Sequence, residues 1–116
     1  IVAPCSARTL GAIANGFGDG LLTRAADVVL KERRTLLLAI REAPLSEIHI
    51  ENMLTLARMG VVMLPPVPAF YNNPRSLADI VEHTVARMLD QFGIEVPGAA
   101  RWTGEMGVAG RGATDD

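Results

Sequence analysis

The sequence has few cysteines, few aromatic side chains and little net charge, and each shortage excludes a class of protein. Its one cysteine, Cys5, excludes an intrachain disulfide and suits a reducing compartment. Aromatic residues make up 4% of the chain and the net charge is −2, so neither a base-stacking platform nor a basic surface for nucleic acid is expected. No apolar run approaches the roughly 20 residues of a membrane span, and no signal peptide is visible. We therefore expect a cytoplasmic protein that neither spans a membrane nor binds nucleic acid.

The chain has 116 residues, 49% of them hydrophobic, which fits one α/β domain at most. It starts with Ile1 rather than a methionine, and its first residues already have the pattern of a strand that enters a loop. This beginning predicts the C-terminal part of a longer domain, or a trimmed chain. We expect that domain part to cover residues 1–94. Residues 95–116, rich in Gly, Ala and Thr, are expected to form a flexible tail.

A short apolar run in the middle of the chain, residues 35–40, predicts a strand buried on both faces of a parallel sheet. The run ends in the charged pair Arg41 and Glu42. Ligands of open α/β sheets bind beyond the carboxyl ends of the strands, so the Arg41 guanidinium is a candidate to bind a phosphate or a flavin. The alternative is that Arg41 and Glu42 only pair with each other, or with neighbours, at a solvated strand end.

Predicted strands and helices alternate along the chain. The other strands are predicted at residues 1–3 and 61–64, and the helices at residues 10–15, 21–34, 46–59 and 76–92. The second helix has an apolar face of residues spaced three or four apart, namely Leu21, Leu22, Ala25, Val28 and Val29. This alternation predicts an α/β fold, a doubly wound three-layer sandwich with a parallel sheet, of which at least one upstream strand is missing.

The loop after the first strand, predicted over residues 4–9, contains the hydroxyl residues Ser6 and Thr9. A strand, a loop with small hydroxyl side chains and a helix form a common anion-binding arrangement. The backbone N–H groups and the dipole at the start of the helix favour negative charge there. The alternative is that these hydroxyls only cap a helix.

The segment after the last strand is stiffened by three prolines within residues 65–68, which place Phe70 and Tyr71 at that strand's carboxyl end. Two interpretations stay open: the wall of a site, or a rigid loop with two packed aromatic rings. Arg87 lies at the edge of the last helix's apolar stripe, where it either lays its stem on the core or reaches inward to an anion. The two histidines and the cysteine are too scattered for metal-ligand spacing.

Several motifs, in order from residue 1 to about residue 94, together closely resemble the UbiX-type flavin prenyltransferases. They are Pro4-Cys5-Ser6 with Thr9-Leu10, Ala12-Ile13-Ala14-Asn15-Gly16, residues 24–34, Arg41-Glu42-Ala43-Pro44-Leu45-Ser46, His49-Ile50-Glu51-Asn52-Met53 and Pro68-Ala69-Phe70-Tyr71. That family belongs to a wider flavoprotein superfamily, which also includes the cysteine decarboxylases.

The resemblance implies a flavodoxin-like or Rossmann-like sheet and a homo-oligomer, typically a dodecamer, with sites at the subunit contacts. It implies transfer of a dimethylallyl group from dimethylallyl phosphate to reduced FMN, without a metal. The product, prenylated FMN, would serve UbiD-type decarboxylases, including those of ubiquinone synthesis. Members of this family are often labelled aromatic acid decarboxylases, a name that reflects the chemistry of the partner.

The resemblance also implies roles for particular residues. Ser6, Ala7, Arg8 and Thr9 match the FMN-binding segment, and Arg41 matches the flavin-contacting arginine. Tyr71 and Arg87 match positions that hold dimethylallyl phosphate. The family's loop often reads Ser-Met-Lys-Thr, so Ala7 and Arg8 keep the positive charge but not the methionine contact.

The matched region lacks the family's Gly-rich first loop, a flavin-binding serine and an acidic residue implicated in proton transfer. The catalytic acid or base is therefore expected upstream of this chain, and a catalytically incomplete fragment is one alternative. A second alternative is an FMN-dependent cysteine-type decarboxylase. Those enzymes tend to carry a Pro-x-Ser-Ala-Asn-Thr loop, with Asn where Arg8 stands here, and residues 41–46 favour the prenyltransferase.

Overall fold

Three short parallel strands alternate with helices in the computed structural model, which describes residues 1–99. The elements in chain order are β1 (Val2–Cys5), α1 (Ala7–Ala14), α2 (Leu21–Lys31), β2 (Leu37–Ile40), α3 (Glu47–Arg58), β3 (Val62–Met63), a 3-10 helix η1 (Phe70–Asn72) and α4 (Leu77–Asp90). No helix within these residues combines the length and the apolar character that a membrane crossing requires.

The sheet has the order β1-β2-β3, with β2 in the middle. Val2 and Cys5 of β1 pair with Leu38 and Ile40 of β2, and Leu38 pairs on its other side with Met63 of β3. Helices α1 and α3 pack against each other while contacting β2 and β3 respectively, so they cover the same face of the sheet. The predicted parallel α/β architecture is confirmed.

The core forms around β2, whose four residues are all buried. Leu38 is fully buried, and it belongs to one cluster with Leu10 of α1 and Leu56 of α3. This explains the uninterrupted apolar run, because a central parallel strand has no face that meets water. A buried central strand also fixes the direction in which Arg41 leaves the sheet.

The first strand and helix differ from the prediction. The strand continues to Cys5, and α1 begins at Ala7 rather than at residue 10. Ser6 is the N-cap of α1, so Ala7, Arg8 and Thr9 form the first turn of a helix and not a loop. The physical reason is that the Ser6 hydroxyl accepts the Thr9 backbone N–H and satisfies one of the donors that a helix start leaves free.

Most of the predicted apolar face of α2 is wrong, and of its five residues only Val29 packs against the core. Leu21 is 87% exposed and Leu22 and Val28 are also exposed, whereas Thr23 and Ala26 are the buried residues. Small side chains allow the helix to approach the core closely, which the apolar periodicity does not reveal. Of the predicted tail, residues 96–99 line a cavity beside α4, and residues 100–116 lie outside the described part.

Candidate functional site

The carboxyl edge of the sheet brings together two of the predicted binding segments. Cys5 and Ile40 are register partners on the neighbouring strands β1 and β2. Ser6 directly follows the first and Arg41 directly follows the second. The structure therefore places both segments where ligands of open α/β sheets bind.

The first segment is the beginning of α1. The Ser6 hydroxyl accepts the Thr9 backbone N–H at 3.1 Å and donates to the Thr9 Oγ1, also at 3.1 Å. These hydroxyls therefore cap the helix, which was one of the two interpretations of the sequence. Within residues 1–99, the backbone N–H groups of Ala7 and Arg8 have no hydrogen-bond partner. They are donors of the kind that a helix start offers to an anion.

Two arginine side chains, of Arg8 in the first turn of α1 and of Arg41 directly after β2, are solvent-accessible. The Arg8 side chain is 91% exposed, and its Nη2 lies 3.9 Å from the Asp19 carboxylate. An ion pair that long and that exposed is weak, so it leaves the guanidinium available. Arg41 is exposed, and the described residues show no ion pair between it and Glu42. The alternative in which Arg41 and Glu42 only neutralise each other is therefore not what the structure shows.

Apart from these two segments, a cavity of about 270 Å³ lies at the carboxyl end of β3. Both Tyr71, from η1, and Arg87, from α4, line it. Its other lining residues are Leu64, Pro65, Val67, Pro68, Ala69, His83 and Thr84. The Arg87 side chain is 53% exposed and its Nη1 lies 3.4 Å from the Asp90 carboxylate. One guanidinium, one phenol hydroxyl and an apolar wall suit a small ligand with a phosphate at one end and a hydrocarbon at the other.

The structure does not join these segments into one site. Neither residues 6–9 nor Arg41 contribute to the lining of the Tyr71–Arg87 cavity. Residues 6–9 and Arg41 lie at the ends of β1 and β2, and the Tyr71–Arg87 cavity lies beyond the end of β3, so the described part of one chain keeps these groups apart.

Two residues of the cavity region were missed in the sequence. His83 lines the same cavity as Arg87, and Asn72 follows Tyr71 and approaches the His83 ring. The sequence held a signal for His83, because it precedes Arg87 by four positions and residues at that spacing lie on the same face of a helix. The pairing with Asn72 depends on tertiary structure and left no trace in the sequence.

The remaining titratable candidates have structural roles. Cys5 is buried, and burial raises the pKa of its thiol to about 11, so it is neither a thiolate nucleophile nor a ready metal ligand at neutral pH. His49 closes a capping box at the start of α3, where its Nδ1 accepts the Ser46 backbone N–H at 3.1 Å. Among residues 1–99, no group of three His, Cys, Asp or Glu side chains is arranged to hold a metal ion.

Comparison with known proteins gives consistent matches. A family model described as Flavoprotein matches residues 1–89. A Streptomyces sp. (strain D7) protein named Probable UbiX-like flavin prenyltransferase is 62% identical over 104 residues, which is 90% of this chain and 52% of that protein.

Two solved structures share the fold. A dodecameric FMN-dependent UbiX-like decarboxylase from Escherichia coli O157:H7 is 65% identical with a TM-score of 0.83, over 85% of this chain and 54% of the other. AnUbiX (PadA1), in complex with FMN and dimethylallyl pyrophosphate, is 52% identical with a TM-score of 0.86, over 90% of this chain and 56% of the other. The predicted flavodoxin-like fold is thus confirmed, and the chain spans about half the length of the relatives it matches.

Proposed function

This chain belongs to the Flavoprotein family, and from that membership we propose that it is part of a flavin prenyltransferase. The reaction is the transfer of a dimethylallyl group from dimethylallyl phosphate to reduced FMN. The observation that carries the proposal is that Tyr71 and Arg87, which are distant in the sequence, line one small cavity at the carboxyl edge of the sheet. A solved relative at 52% identity holds FMN and dimethylallyl pyrophosphate, which supports FMN and a phosphorylated dimethylallyl donor as the ligands here.

The residues at the carboxyl ends of β1 and β2 fit a flavin that carries a phosphate. The first turn of α1 offers the backbone N–H groups of Ala7 and Arg8, and the Arg8 and Arg41 guanidinium groups are both accessible. Ser6 and Thr9 fix that turn through their mutual hydrogen bonds. We propose that this set binds FMN, with Arg41 contacting the flavin.

The cavity residues fit the other substrate. Breaking the allylic C–O bond sends its electron pair to the phosphate and leaves a dimethylallyl group with cationic character. Arg87 and Tyr71 donate to the phosphate oxygens and stabilise the negative charge as it develops. Reduced FMN, when bound, would supply two nucleophilic atoms: N5 would replace the departing phosphate at the allylic carbon with loss of its proton, and C6 would bond to the alkene, which takes up a proton as C6 loses one. The apolar wall formed by Leu64, Pro65 and neighbouring residues gives the hydrocarbon end of the donor a non-polar surface on which to pack.

We propose further that copies of the chain assemble into a homo-oligomer, as in the dodecameric Escherichia coli relative. Two observations support a site that is completed between subunits. Tyr71 is 69% exposed, and the FMN-binding residues do not reach the Tyr71–Arg87 cavity within one chain. We assign no catalytic acid or base among the described residues. The flavoprotein unit is proposed to reach about residue 94, where α4 has ended and Gly93 has a positive φ of 70°.

The setting of the reaction is part of the same proposal. The product, prenylated FMN, is released to a UbiD-type decarboxylase, with ubiquinone synthesis as one pathway served, and the protein is cytoplasmic. The reduced, buried Cys5 fits an enzyme that works in a reducing compartment.

The test is an anaerobic incubation of the chain with reduced FMN and dimethylallyl phosphate, followed by the mass of the flavin. A flavin heavier by one dimethylallyl group is the expected result. FMN binding with an unchanged flavin mass would favour the catalytically incomplete fragment, and the same assay would then be repeated with the N-terminal half of the Streptomyces relative added. Release of carbon dioxide from a C-terminal cysteine peptide would instead favour the cysteine-type decarboxylase.

A further inference from the structure

We propose that His83 is a positioning residue for dimethylallyl phosphate, acting through Asn72. The hydrogen bond between their side chains ties η1, which carries Tyr71, to α4, which carries Arg87. This inference rests on the proposed function, because it assigns the tie to the substrate that Tyr71 and Arg87 bind.

The contact joins one amide group to one imidazole ring. The Asn72 Nδ2 lies 3.3 Å from the His83 Nδ1 and 3.5 Å from the Nε2, and the amide donates to whichever of these two nitrogens is unprotonated. Both side chains are half-buried. Asn72 immediately follows Tyr71, and His83 stands one helical turn before Arg87. The pair therefore lies directly behind the two groups that would hold the phosphate.

The backbone on the Asn72 side is already constrained. Asn72 and Asn73 donate their backbone N–H groups to the carbonyls of Ala69 and Phe70, at 3.1 Å each. Asn73 has a φ of 52°, a left-handed conformation that asparagine tolerates better than most residues. The short helix is thus one small unit, and a single side-chain bond to α4 is enough to orient it.

His83 also separates two cavities. It lines the Tyr71–Arg87 cavity on one side and, on the other, a cavity of about 420 Å³ between α4 and residues 96–99. Asn72 lines only the second of these. The His83 imidazole, held by Asn72 between the two cavities, forms part of the wall of the Tyr71–Arg87 cavity. Loss of the hydrogen bond would let η1 and Tyr71 move away from Arg87.

The kinetic test compares four variants with the wild-type chain: Asn72→Ala, His83→Phe, the double variant and His83→Gln. Loss of one neutral hydrogen bond corresponds to about a fivefold change, so each single alanine or phenylalanine variant should raise KM for dimethylallyl phosphate by about that factor. Because both act through one bond, the double variant should be no worse than either single one. His83→Gln keeps an acceptor for the Asn72 amide and should restore KM. FMN affinity should not change in any variant.

The matched control is His49→Gln, which removes the other histidine from a capping position at the start of α3 and should leave KM unchanged. Additive effects of Asn72→Ala and His83→Phe would overturn the proposal, since they would mean that His83 acts on the substrate without Asn72. An unchanged KM in both variants would overturn it as well.

A second measurement separates this inference from the proposed function. Hydrogen exchange of the Asn72 and Asn73 amides, followed by NMR, reports on the tie in the absence of any turnover. Exchange should accelerate about fivefold in His83→Phe and return to the wild-type rate in His83→Gln. Should the wild-type chain transfer nothing, even with the N-terminal half of the Streptomyces relative added, the proposed function fails, and binding of inorganic phosphate replaces KM as the readout for the same variants. Unchanged exchange overturns the tie whatever the activity.

Discussion

Replacing Arg87 by alanine should impair the use of dimethylallyl phosphate and leave FMN binding nearly unchanged. Arg87 lines the cavity with Tyr71 and is distant from the residues assigned to FMN. A hydrogen bond to a charged group contributes about 1.5–3 kcal/mol, which corresponds to a loss of roughly 10- to 150-fold in kcat/KM. Arg87→Lys should fall between, because an ammonium keeps the charge but not the fork of donors.

The same substitution should cost little stability. The Arg87 side chain is 53% exposed and pairs with Asp90 at 3.4 Å. Surface ion pairs of this kind contribute about 0–1 kcal/mol, so the free energy of unfolding should fall by no more than about 1 kcal/mol. A small stability change beside a large kinetic change is therefore the pattern that assigns Arg87 to the substrate.

The assay is anaerobic initial-rate kinetics with saturating reduced FMN and varied dimethylallyl phosphate, with FMN affinity measured separately by titration. Arg75→Ala is the matched control. Arg75 lies just before α4 and holds Asp79 through its backbone N–H, at 2.9 Å, so truncating its side chain leaves that bond intact. An equal loss of FMN affinity and of kcat/KM in Arg87→Ala would show instead that Arg87 supports the fold rather than binding the phosphate.

Two further predictions concern the first strand and helix. Ser6→Ala should lower the free energy of unfolding by about 1 kcal/mol, through loss of the α1 cap, whereas Ser6→Asn should retain it; equal denaturation midpoints for both variants would contradict the capping role. Burial raises the pKa of the Cys5 thiol from 9.0 to about 11, so the folded chain holds its proton more tightly than the unfolded chain. The stabilisation that comes from this pKa difference is complete below pH 9.0 and is lost as the pH rises to about 11. Urea unfolding across that range should show the decline, and Cys5→Ala should remove it.

The sequence predicts β2 and the position of Arg41 well, because an apolar run of strand length that ends in charges is typical of a buried strand at the point where it leaves the sheet. It predicts the residues of the α1 turn less well. Ser6 followed by Thr9 is compatible with a loop and with the capped first turn of a helix, and only the hydrogen bond between Thr9 N–H and Ser6 Oγ distinguishes these two local structures.

The side of a helix that packs is harder to predict than the helix itself. Leu21 and Val28 gave α2 a clear apolar face, yet both are exposed, and the buried residues of the helix are Thr23 and Ala26. The Asn72–His83 tie was not predictable at all. It depends on how η1 folds back against α4, and no local pattern encodes that approach.

We expect the Tyr71–Arg87 cavity to release phosphate only as the dimethylallyl group joins the flavin. Inorganic phosphate and prenylated flavin should therefore be measured in the same anaerobic reaction with reduced FMN. Equal molar amounts of the two products are expected at every time point, and both products should be lost together in Arg87→Ala. Phosphate release without a heavier flavin, or neither product under any condition, would contradict this expectation.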